Sequence, residues 1–432
     1  MAGGTGGSWY ERVGGTVPPR SAPAGRLEAE TCIVGGGLAG LGTALSLAER
    51  GHGALLLEAG RIGGGASGRN GGMASAGFTR GRDAVAARAG RETADALYRL
   101  SLAGLALLRR RIESHGIACG LVEGVVEASW RFDAEAMQRA AEPLRALGAR
   151  LEVWPQARLR EAYRSRHYRA GLLDRDGFHL DPLALCRGLA AAAEAAGAAL
   201  HERAAATALE PAGKGWRVRT QAAEISARRV VLCTSADRPA LAPALARAVL
   251  PIRSHIVVTE PLGERLADAV RAAHAVYDDR LATGYYRPLP GGRLLWGGRV
   301  DALSWPLSRP GSVAAALRRD LAFVFPQLAD VPFAAAWTGA MGFVRHRMPV
   351  LRPLAPGLWV ATGFGGHGLN TTMLAGELLA SALVEGDDRW RLFDAFGLPW
   401  NGGVAGPLAA HAFYRGFQLR DAAARFLTRG KE

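Results

Sequence analysis

The stretch TCIVGGGLAGLGTALSLAERGHGALLLE, residues 31–58, decides the fold of the first part of the chain. Thr31–Val34 is a short apolar run that is typical of a buried strand, and Gly40–Arg50 has apolar residues at helical spacing and is stopped by Gly51. A second apolar run, Ala54–Glu58, predicts another buried strand. A strand, a helix and a strand in this order predict a βαβ unit, and with it a parallel sheet that carries helices on its faces.

The turn between the first strand and the helix contains the pattern GxGxxG at Gly35–Gly40. Gly35 permits the tight turn, Gly37 lets a pyrophosphate approach the backbone, and Gly40 lets the helix pack on the strand. The free N–H groups of the helix N-terminus favour phosphate. Glu58 follows Gly37 by 21 residues and ends the second strand, where an acid accepts hydrogen bonds from ribose hydroxyls. The pattern predicts a dinucleotide site, and both FAD and NAD use it.

The next segment favours FAD over NAD. Residues 60–77 contain eight glycines, and the core of this segment, Gly63–Gly72, reads GGGASGRNGG. A loop this open is either mobile at the surface or wrapped around a ligand. A nicotinamide enzyme needs no long loop of small residues here, whereas the extended tail of FAD has to pass under the backbone.

A third glycine-rich segment, Gly363–Asn370 (GFGGHGLN), follows a predicted strand at Leu358–Thr362 and precedes a predicted helix from about Thr371 to Glu385. Its N–H groups and the helix N-terminus are suited to stabilise negative charge on the pyrimidine edge of a flavin. His367 is interpreted equally well as a packed, hydrogen-bonded histidine or as a flavin contact.

Together these segments resemble the D-amino-acid-oxidase/glycine-oxidase superfamily of FAD enzymes. The chain is most similar to its bacterial γ-glutamylputrescine oxidase-like branch. That closer resemblance rests on five patches: SWY at 8–10, VYDDR at 276–280, GYYRPLPGGRLLWGGR at 284–299, RHRMP at 345–349 and FGLPWNGG at 396–403.

The resemblance implies an FAD site, and these positions match it: Gly35, Gly37, Leu38, Ala39, Gly40, Glu58, Ala59, Ala66, Ser67, Arg69, Asn70, Gly71, Gly72, Met73, Thr234, Gly363, Gly365, Gly366, His367, Gly368, Leu369 and Asn370. Some relatives carry a histidine bonded covalently to FAD at the position of Met73, and others place a linking cysteine late in the chain. Here the last cysteine is Cys233, so we expect non-covalent FAD.

The residues that face the substrate are less well defined. Amino-acid oxidases of the superfamily usually hold the substrate carboxylate with an arginine eight residues before the proline of the late segment, and that position is Met341 here. Arg345, Arg299 or Arg287 could bind a carboxylate instead, although each is more typical of a surface or structural arginine. The substrate-facing or catalytic candidates that we single out are Tyr286, His346, Arg345 and His255. For each of them, a structural role is at least as good an interpretation. Tyr285 is a further candidate, but neighbouring strand residues point to opposite faces, so at most one of the two tyrosines faces a ligand.

For the reaction, the resemblance implies that a small amine or amino-acid-like substrate passes a hydride to flavin N5. The imine is then hydrolysed, and oxygen reoxidises the flavin to give hydrogen peroxide. Two other interpretations stay open: an FAD dehydrogenase that passes electrons to a quinone, and a flavin-binding protein without turnover.

Composition sets the class of protein. The 432 residues are 49% hydrophobic and 21% charged, as expected of a globular chain of two or three domains. The net charge of +14 comes almost entirely from arginines spread along the chain, so we expect no nucleic-acid partner and interpret the charge as attraction for an anionic substrate. The four cysteines are far apart, which predicts buried free thiols, no metal site and a cytoplasmic protein. Thr31–Ala48 is uncharged but too rich in glycine for a membrane span.

The expected fold class is α/β, with a Rossmann-like FAD-binding domain built on a doubly wound parallel sheet and a second, largely antiparallel α+β substrate domain. A hairpin around Pro290–Gly292 is the signal for the second domain. We assign the segments as an N-terminal arm (1–27) that Trp9 and Tyr10 could attach to the body, an FAD-binding domain (28–85, 151–250 and 341–395), a substrate domain (86–150 and 251–340) and a C-terminal helical tail (396–432). In the tail, residues 407–427 suggest an amphipathic helix that closes a face or touches another subunit.

Overall fold

The structure is a computed structural model that describes residues 7–235, 241–280, 284–303 and 310–429. Residues 1–6 of the predicted arm, residues 236–240, 281–283 and 304–309 of the predicted domains, and residues 430–432 of the tail lie outside the described residues.

Its strands, in chain order, are β1 (Gly25–Val34), β2 (Ala54–Leu57), β3 (Met73–Ala74), β4 (Val122–Ser129), β5 (Leu151–Pro155), β6 (Ala170–His179), β7 (Ala199–His201), β8 (Ala208–Ala212), β9 (Gly215–Arg219), β10 (Ala223–Leu232), β11 (Leu250–Thr259), β12 (Ala275–Asp278), β13 (Tyr285–Leu289), β14 (Arg293–Asp301), β15 (Phe333–Phe343), β16 (Val350–Ala355) and β17 (Leu358–Thr362). Its helices are α1 (Trp9–Val13), α2 (Leu38–Ala48), α3 (Arg82–Ala89), α4 (Arg91–Ser114), α5 (Ala134–Arg145), α6 (Gln156–Ala162), α7 (Pro182–Ala195), α8 (Pro243–Ala248), α9 (Glu264–Ala267), α10 (Pro310–Val324), α11 (Gly368–Val384) and α12 (Gly406–Arg429).

The first sheet has the order β16-β17-β10-β1-β2-β7, and β9 and β8 extend it from β10. The strands β17, β10, β1, β2 and β7 are parallel to one another, while β16, β9 and β8 add antiparallel pairs. All four residues of β2 are buried, as expected of a parallel strand that is covered on both faces. The predicted βαβ unit of β1, α2 and β2 is therefore confirmed.

Helices cover both faces of this sheet because its strands alternate their side chains between two cores. Ile33 and Leu56 pack with α2, α4, α7 and α11, whereas Val34 and Leu57 pack with α8 on the other face. Helix α7 begins behind Asp181, whose side chain accepts hydrogen bonds from two N–H groups of its first turn.

The second sheet has the order β15-β11-β14-β13-β12-β4-β6-β3, with β5 paired to β6, and its pairs are antiparallel except β12 with β4. The predicted hairpin is present as β13 and β14, with Gly291 and Gly292 at positive φ in the turn. Strands β5 and β6 lie within 151–250, which we assigned to the FAD-binding domain, yet they pair in the second sheet. Because β5 pairs with β6 and β6 pairs with β4, residues 151–179 belong with the second sheet.

Two helical segments also differ from expectation. The sequence suggests one helical stretch over 83–115, but α3 and α4 are separate helices because Gly90 adopts φ +86° between them. Helix α4 lies in the range 86–150, which we assigned to the substrate domain, but Leu97, Leu105 and Leu108 on this helix pack in the core of the first sheet.

Helix α12 closes one edge of the second sheet, where Ala410 and Tyr414 pack against Ile252 and Phe343. The four cysteines are all buried and free, as predicted. Among the described residues, no helix combines the length and the apolar character needed to cross a bilayer.

Candidate active site

The first sheet brings three of the predicted segments to one edge. Because β17, β10, β1 and β2 are adjacent and parallel, their carboxyl ends lie side by side. Gly35, Glu58, Thr234 and Gly363 follow these four ends in the sequence. The crevice outside the carboxyl ends of such strands is where open α/β sheets bind ligands, so the architecture itself collects these residues into one site.

The turn from β1 into α2 is tight at both ends. Gly35 has φ +118°, and a Cβ there would lie 2.5 Å from the carbonyl oxygen of Cys233. A Cβ on Gly40 would overlap the carbonyl oxygen of Gly35, so α2 could not pack this closely with any other residue. Gly37 is the N-cap of α2, and the Leu38 N–H donates to Ser67 Oγ at 3.0 Å. Leu38 and the next residue, Ala39, are buried.

Glu58 links the second strand to this turn. Its carboxylate accepts hydrogen bonds from the N–H groups of Gly36 and Gly60, both at 2.7 Å. Ala59 is exposed beside it. The carboxylate is thereby held at the mouth of the turn.

The glycine-rich loop is ordered by its own side chains. Asn70 Nδ2 donates to the carbonyl oxygens of Ala66 and Ser67, and Asn70 Oδ1 accepts from the Gly72 N–H at 2.8 Å. Gly72 has φ +76°, and a Cβ there would overlap the carbonyl oxygen of Leu180. This loop therefore has one defined conformation before Met73 enters β3.

The late segment forms the opposite wall. Gly363 and Gly365 have positive φ, and His367 is the N-cap of α11. The His367 Nε2–H donates to the carbonyl oxygen of Ser75 at 3.0 Å, and burial lowers the pKa of His367. The histidine thus joins the two glycine-rich segments, as in the hydrogen-bonded interpretation of this residue. The rest of the segment comprises the exposed Gly366, the half-buried Gly368, the buried Leu369 and the buried Asn370.

The second sheet presents one face to this loop. Alternation places Tyr285 and Arg287 of β13, Ser254 of β11, and Trp337 of β15 on this face, which also packs against Tyr10. The Tyr285 ring lies against Gly71, since a Cβ on that glycine would lie 2.9 Å from the ring. The Tyr285 hydroxyl is 3.2 Å from Ser254 Oγ.

Tyr286 and His255 lie on the other face, so the substrate-facing role predicted for them is not supported by their placement. Tyr286 is 1% exposed and stacks on Trp296 at 5.4 Å in the core beneath α10. His255 is buried, with its Nδ1 2.8 Å from Thr338 Oγ1. The physical reason is the period of two along a strand: Tyr285 and Ser254 take the loop side, and their neighbours take the core.

His346 and Arg345 occupy the turn between β15 and β16. The His346 Nε2–H donates to the carbonyl oxygen of Gly397 in the C-terminal region, and Nδ1 accepts from the Met348 N–H within the turn, so both ring nitrogens are used. Arg345 is exposed. This arrangement favours a structural role for the histidine.

The alternative arginines Arg299 and Arg287 are both engaged in contacts within the protein. Arg299 makes a two-pronged ion pair with Asp320, and Arg287 is buried and bonded to backbone carbonyls, so neither is available to a substrate carboxylate. Met341 packs in the apolar cluster under α12.

Arg347, in the turn after β15, was not singled out from the sequence. It is half-buried at φ +59°, and burial together with the charge of Arg80 lowers its pKa. Arg80 follows Thr79, whose hydroxyl donates to the carbonyl oxygen of Phe364. The charges of Arg347 and Arg80 are thus close enough to influence each other.

The residues present fit an FAD molecule. Asn370 Oδ1 and Thr362 Oγ1 are buried at the carboxyl edge of the sheet without a hydrogen-bond partner in the described part of the chain. Helix α2 begins behind Gly37, where a Cβ would lie 2.7 Å from Ser67 Oγ, and a Cβ on Gly366 or Gly368 would meet no atom within 4 Å. Buried polar atoms without partners, together with glycines beside a helix N-terminus, suit a ligand that carries phosphates and a polar ring. Within the described ranges, no group of His, Cys, Asp or Glu residues is arranged to hold a metal ion.

Comparison with known proteins agrees with this geometry. The profile of the family described as "DAO: FAD dependent oxidoreductase" matches residues 30–382. The γ-glutamylputrescine oxidoreductase of Escherichia coli K12 is 33% identical over 373 residues, 85% of either chain, and the probable oxidoreductase OrdL of Haemophilus influenzae is 31% identical over 380 residues, 86% of either chain. The crystal structure of glycine oxidase from Geobacillus kaustophilus superimposes with a TM-score of 0.71 at 24% identity, covering 86% of this chain and 99% of that one.

Proposed function

Because the chain belongs to the DAO family of FAD-dependent oxidoreductases, we propose that it oxidises the C–N bond of a small amine whose distal end carries a carboxylate. The chain is an FAD-dependent oxidoreductase of the amine and amino-acid oxidase type. One relative is named for γ-glutamylputrescine, a molecule with a primary amine at one end and an amino-acid carboxylate at the other. That compound is our leading candidate for the substrate.

FAD, when bound, supplies the hydride acceptor for the substrate and the electron donor for a second substrate. We assign the N-terminus of α2 with Gly37 to the pyrophosphate and Glu58 to the adenosine ribose. The segment Ser67–Met73 lines the middle of the cofactor, and Gly363–Asn370 lines its pyrimidine end. The N–H groups at the start of α11 favour negative charge there. We expect non-covalent binding, because Met73 offers no nucleophile.

Tyr285 and Ser254 are the polar pair that faces the reacting amine. Their hydroxyls are 3.2 Å apart, so together they offer both a donor and an acceptor. Burial raises the pKa of Tyr285, so the phenol keeps its proton throughout the physiological range. The pair can orient a neutral amine without a charged base.

The observation that carries the substrate class is the side chain of Met341. An apolar residue at this position cannot form the two-pronged ion pair by which an arginine holds a carboxylate next to the reacting carbon. A simple α-amino acid would leave its carboxylate unpaired there, at a large cost in free energy.

Arg347 and Arg80 provide the complementary feature. They are half-buried like charges, and among the described residues neither has a carboxylate within ion-pair distance. An anionic group bound between them would relieve their repulsion. We assign this pair to the distal carboxylate of the substrate.

We take oxygen as the electron acceptor. The alternatives are a quinone acceptor and flavin binding without turnover. We also place the protein in the cytoplasm, because its four cysteines are free thiols.

The test is the visible spectrum of the purified holoprotein under anaerobic conditions, before and after addition of γ-glutamylputrescine. We expect the flavin absorbance to bleach and to return, with release of hydrogen peroxide, when air is admitted. Bleaching that is reversed by a quinone but not by air would replace the oxidase with a dehydrogenase. A flavin that no amine or amino acid bleaches would reject the proposed oxidation.

A further inference from the structure

The backbone of residues 69–72, called here the 69–72 loop, is held from outside at every carbonyl group. The donors come from four different places in the chain: Trp337 Nε1 to Arg69 at 2.9 Å, the Tyr10 hydroxyl to Asn70 at 2.9 Å, Arg287 Nε to Gly71 at 2.7 Å and the Leu180 N–H to Gly72 at 2.8 Å. A trans peptide directs its N–H opposite to its carbonyl. Because each carbonyl shares its peptide with the next residue's N–H, these bonds also set the direction of the N–H groups of residues 70–73.

Arg287 is the centre of this arrangement. Its side chain is 4% exposed, and its Nη2 donates to the Tyr10 hydroxyl at 3.1 Å and to the carbonyl oxygen of Leu180 at 2.8 Å. Its Nη1 is 3.4 Å from His179 Nδ1, which is free to accept because the His179 Nε2–H donates to the carbonyl oxygen of Ala273. The planar guanidinium thus contacts four acceptors, which the single ammonium group of a lysine could not match.

No ion pair joins Arg287 to a carboxylate in the part of the chain that the structure describes. A buried cation without an anionic partner is costly and is usually stabilised by dipoles or by a bound negative charge. Here the dipoles include the backbone carbonyls of Gly71 and Leu180, which accept from the guanidinium at 2.7 and 2.8 Å. Arg287 therefore holds this backbone in place instead of forming an ion pair with another described residue.

Tyr10 reaches the loop from the N-terminal helix α1. A capping box between Ser8 and Glu11 defines the helix, and the Tyr10 ring packs edge-on against Trp337 at 5.6 Å. Arg12 donates to the carbonyl oxygen of Ala334 at 2.8 Å. The N-terminal arm is therefore fastened to β15 and to the loop at once, which confirms that Tyr10 attaches it to the body.

We propose that Arg287 and Tyr10 are positioning residues for the flavin, which make the N-terminal helix a functional part of the cofactor site. The inference rests on the proposed placement of FAD against the 69–72 loop. The two residues do not touch the reacting atoms in this scheme. They act by holding the peptide planes against which the cofactor lies, and they are shared between a remote helix and the second sheet.

The test compares Arg287→Lys, Arg287→Met and Tyr10→Phe with the wild-type chain. The dissociation constant for FAD is measured by titrating FAD into the deflavinated protein and following the quenching of flavin fluorescence. We expect it to rise about tenfold for Arg287→Lys and Tyr10→Phe, and further for Arg287→Met, since a loss of about 1.4 kcal/mol per positioning contact changes binding tenfold. Thermal unfolding of the apoprotein is followed in parallel.

Arg293→Lys is the matched control. Arg293 stacks on Trp9 of the same helix and pairs with Glu260, but it makes no contact with the 69–72 loop. We expect its FAD dissociation constant to stay at the wild-type value.

A purely structural role would lower the unfolding temperatures of apoprotein and holoprotein equally and leave the FAD dissociation constant unchanged, and that result would overturn the proposal. Tyr10→Phe removes a single oxygen, so it keeps the test valid if the Arg287 variants fail to fold. Tenfold weaker FAD binding supports the proposal whether or not any amine reduces the flavin, which separates it from the proposed reaction.

Discussion

Glu58 accepts a hydrogen bond from the N–H of Gly36 at 2.7 Å, so the end of β2 is joined directly to the turn that follows β1. This contact gives the carboxylate a fixed position at the carboxyl edge of the sheet. The position is the one at which an acid binds the ribose of a dinucleotide.

Glu58→Gln tests that position. The amide keeps the shape of the side chain but replaces one acceptor oxygen by a donor, which cannot accept from both Gly36 and Gly60. We expect FAD to bind about tenfold more weakly, a loss of about one charge-assisted hydrogen bond. Titration of FAD into the apoprotein measures the change, with Glu30→Gln on the exposed part of β1 as the control. Unchanged binding would remove Glu58 from the cofactor site.

The two adjacent tyrosines of β13 provide a matched pair of variants. Tyr285→Phe removes the hydroxyl that faces Ser254, so we expect kcat/KM to fall about tenfold, as for loss of one hydrogen bond to the substrate. Tyr286→Phe removes a buried hydroxyl that has no hydrogen-bond partner of good geometry among the described residues, so activity should be unchanged and stability altered by less than about 1 kcal/mol. Steady-state kinetics measure the effect of each variant on activity, and guanidinium unfolding measures its effect on stability. If Tyr286→Phe lowered kcat/KM and Tyr285→Phe did not, Tyr286 and not Tyr285 would face the substrate.

Arg347→Ala tests recognition of the distal carboxylate. We expect KM for γ-glutamylputrescine to rise about tenfold or more, because one charge-assisted contact is lost, while a diamine without a carboxylate is oxidised no more slowly than before. Arg345→Ala, two residues earlier in the same turn and exposed, is the control. Equal effects on both substrates would show that Arg347 supports the fold and not the substrate.

His179 predicts how stability depends on pH. Burial, and then the charge of Arg287, lower the pKa of His179 to about 4, whereas an unfolded histidine titrates near 6.5. Between these values the unfolded chain binds a proton that the folded chain does not, so acid favours unfolding. The folded state should lose up to ~3 kcal/mol as the pH falls from about 6.5 to about 4.

Guanidinium unfolding at pH 7.5 and pH 5 measures this loss. His179→Asn has no titrating ring but can still donate to Ala273 and accept from Arg287, so its stability should fall less over the same interval. His115→Asn, outside the core, serves as the control. If the free energy of unfolding falls equally for wild type and His179→Asn, protonation of His179 is not the cause of the loss in acid.

The features predicted correctly from the sequence are those that local spacing determines. The end of β1, helix α2 and β2 are encoded within 28 consecutive residues, 31–58, and backbone contacts at Gly35 and Gly40 leave no room for a side chain. The hairpin of β13 and β14 is equally local, since its turn requires positive φ at Gly291 and Gly292. The late glycine segment is anchored by the strand and helix that flank it.

The features that were missed depend on partners far away in the chain. Alternation along β13 shows that Tyr285 and Tyr286 face opposite ways, but only the packing of α10 on the sheet decides which of them meets the core. Strands β5 and β6 gave no local sign of their sheet, because their membership is set by pairing with β4. The contact of Arg287 with Gly71 spans 216 residues. The motif SWY at 8–10 is the one feature of the sequence that points to a role for the N-terminal arm. That role becomes clear only from the contact between Tyr10 and Arg287.

The strand order of the first sheet also has a consequence for biosynthesis. The edge that carries Gly35 and Glu58 is completed only by β17 and the segment that leads into α11, which are made more than 300 residues after the turn at Gly35. A nascent chain stalled before residue 370 has the phosphate-binding turn but lacks the wall at the pyrimidine end. The complete cofactor site therefore forms only after residue 370 has been made, and until then the edge and the face of β10 that β17 and α11 cover in the native fold stay exposed to aggregation.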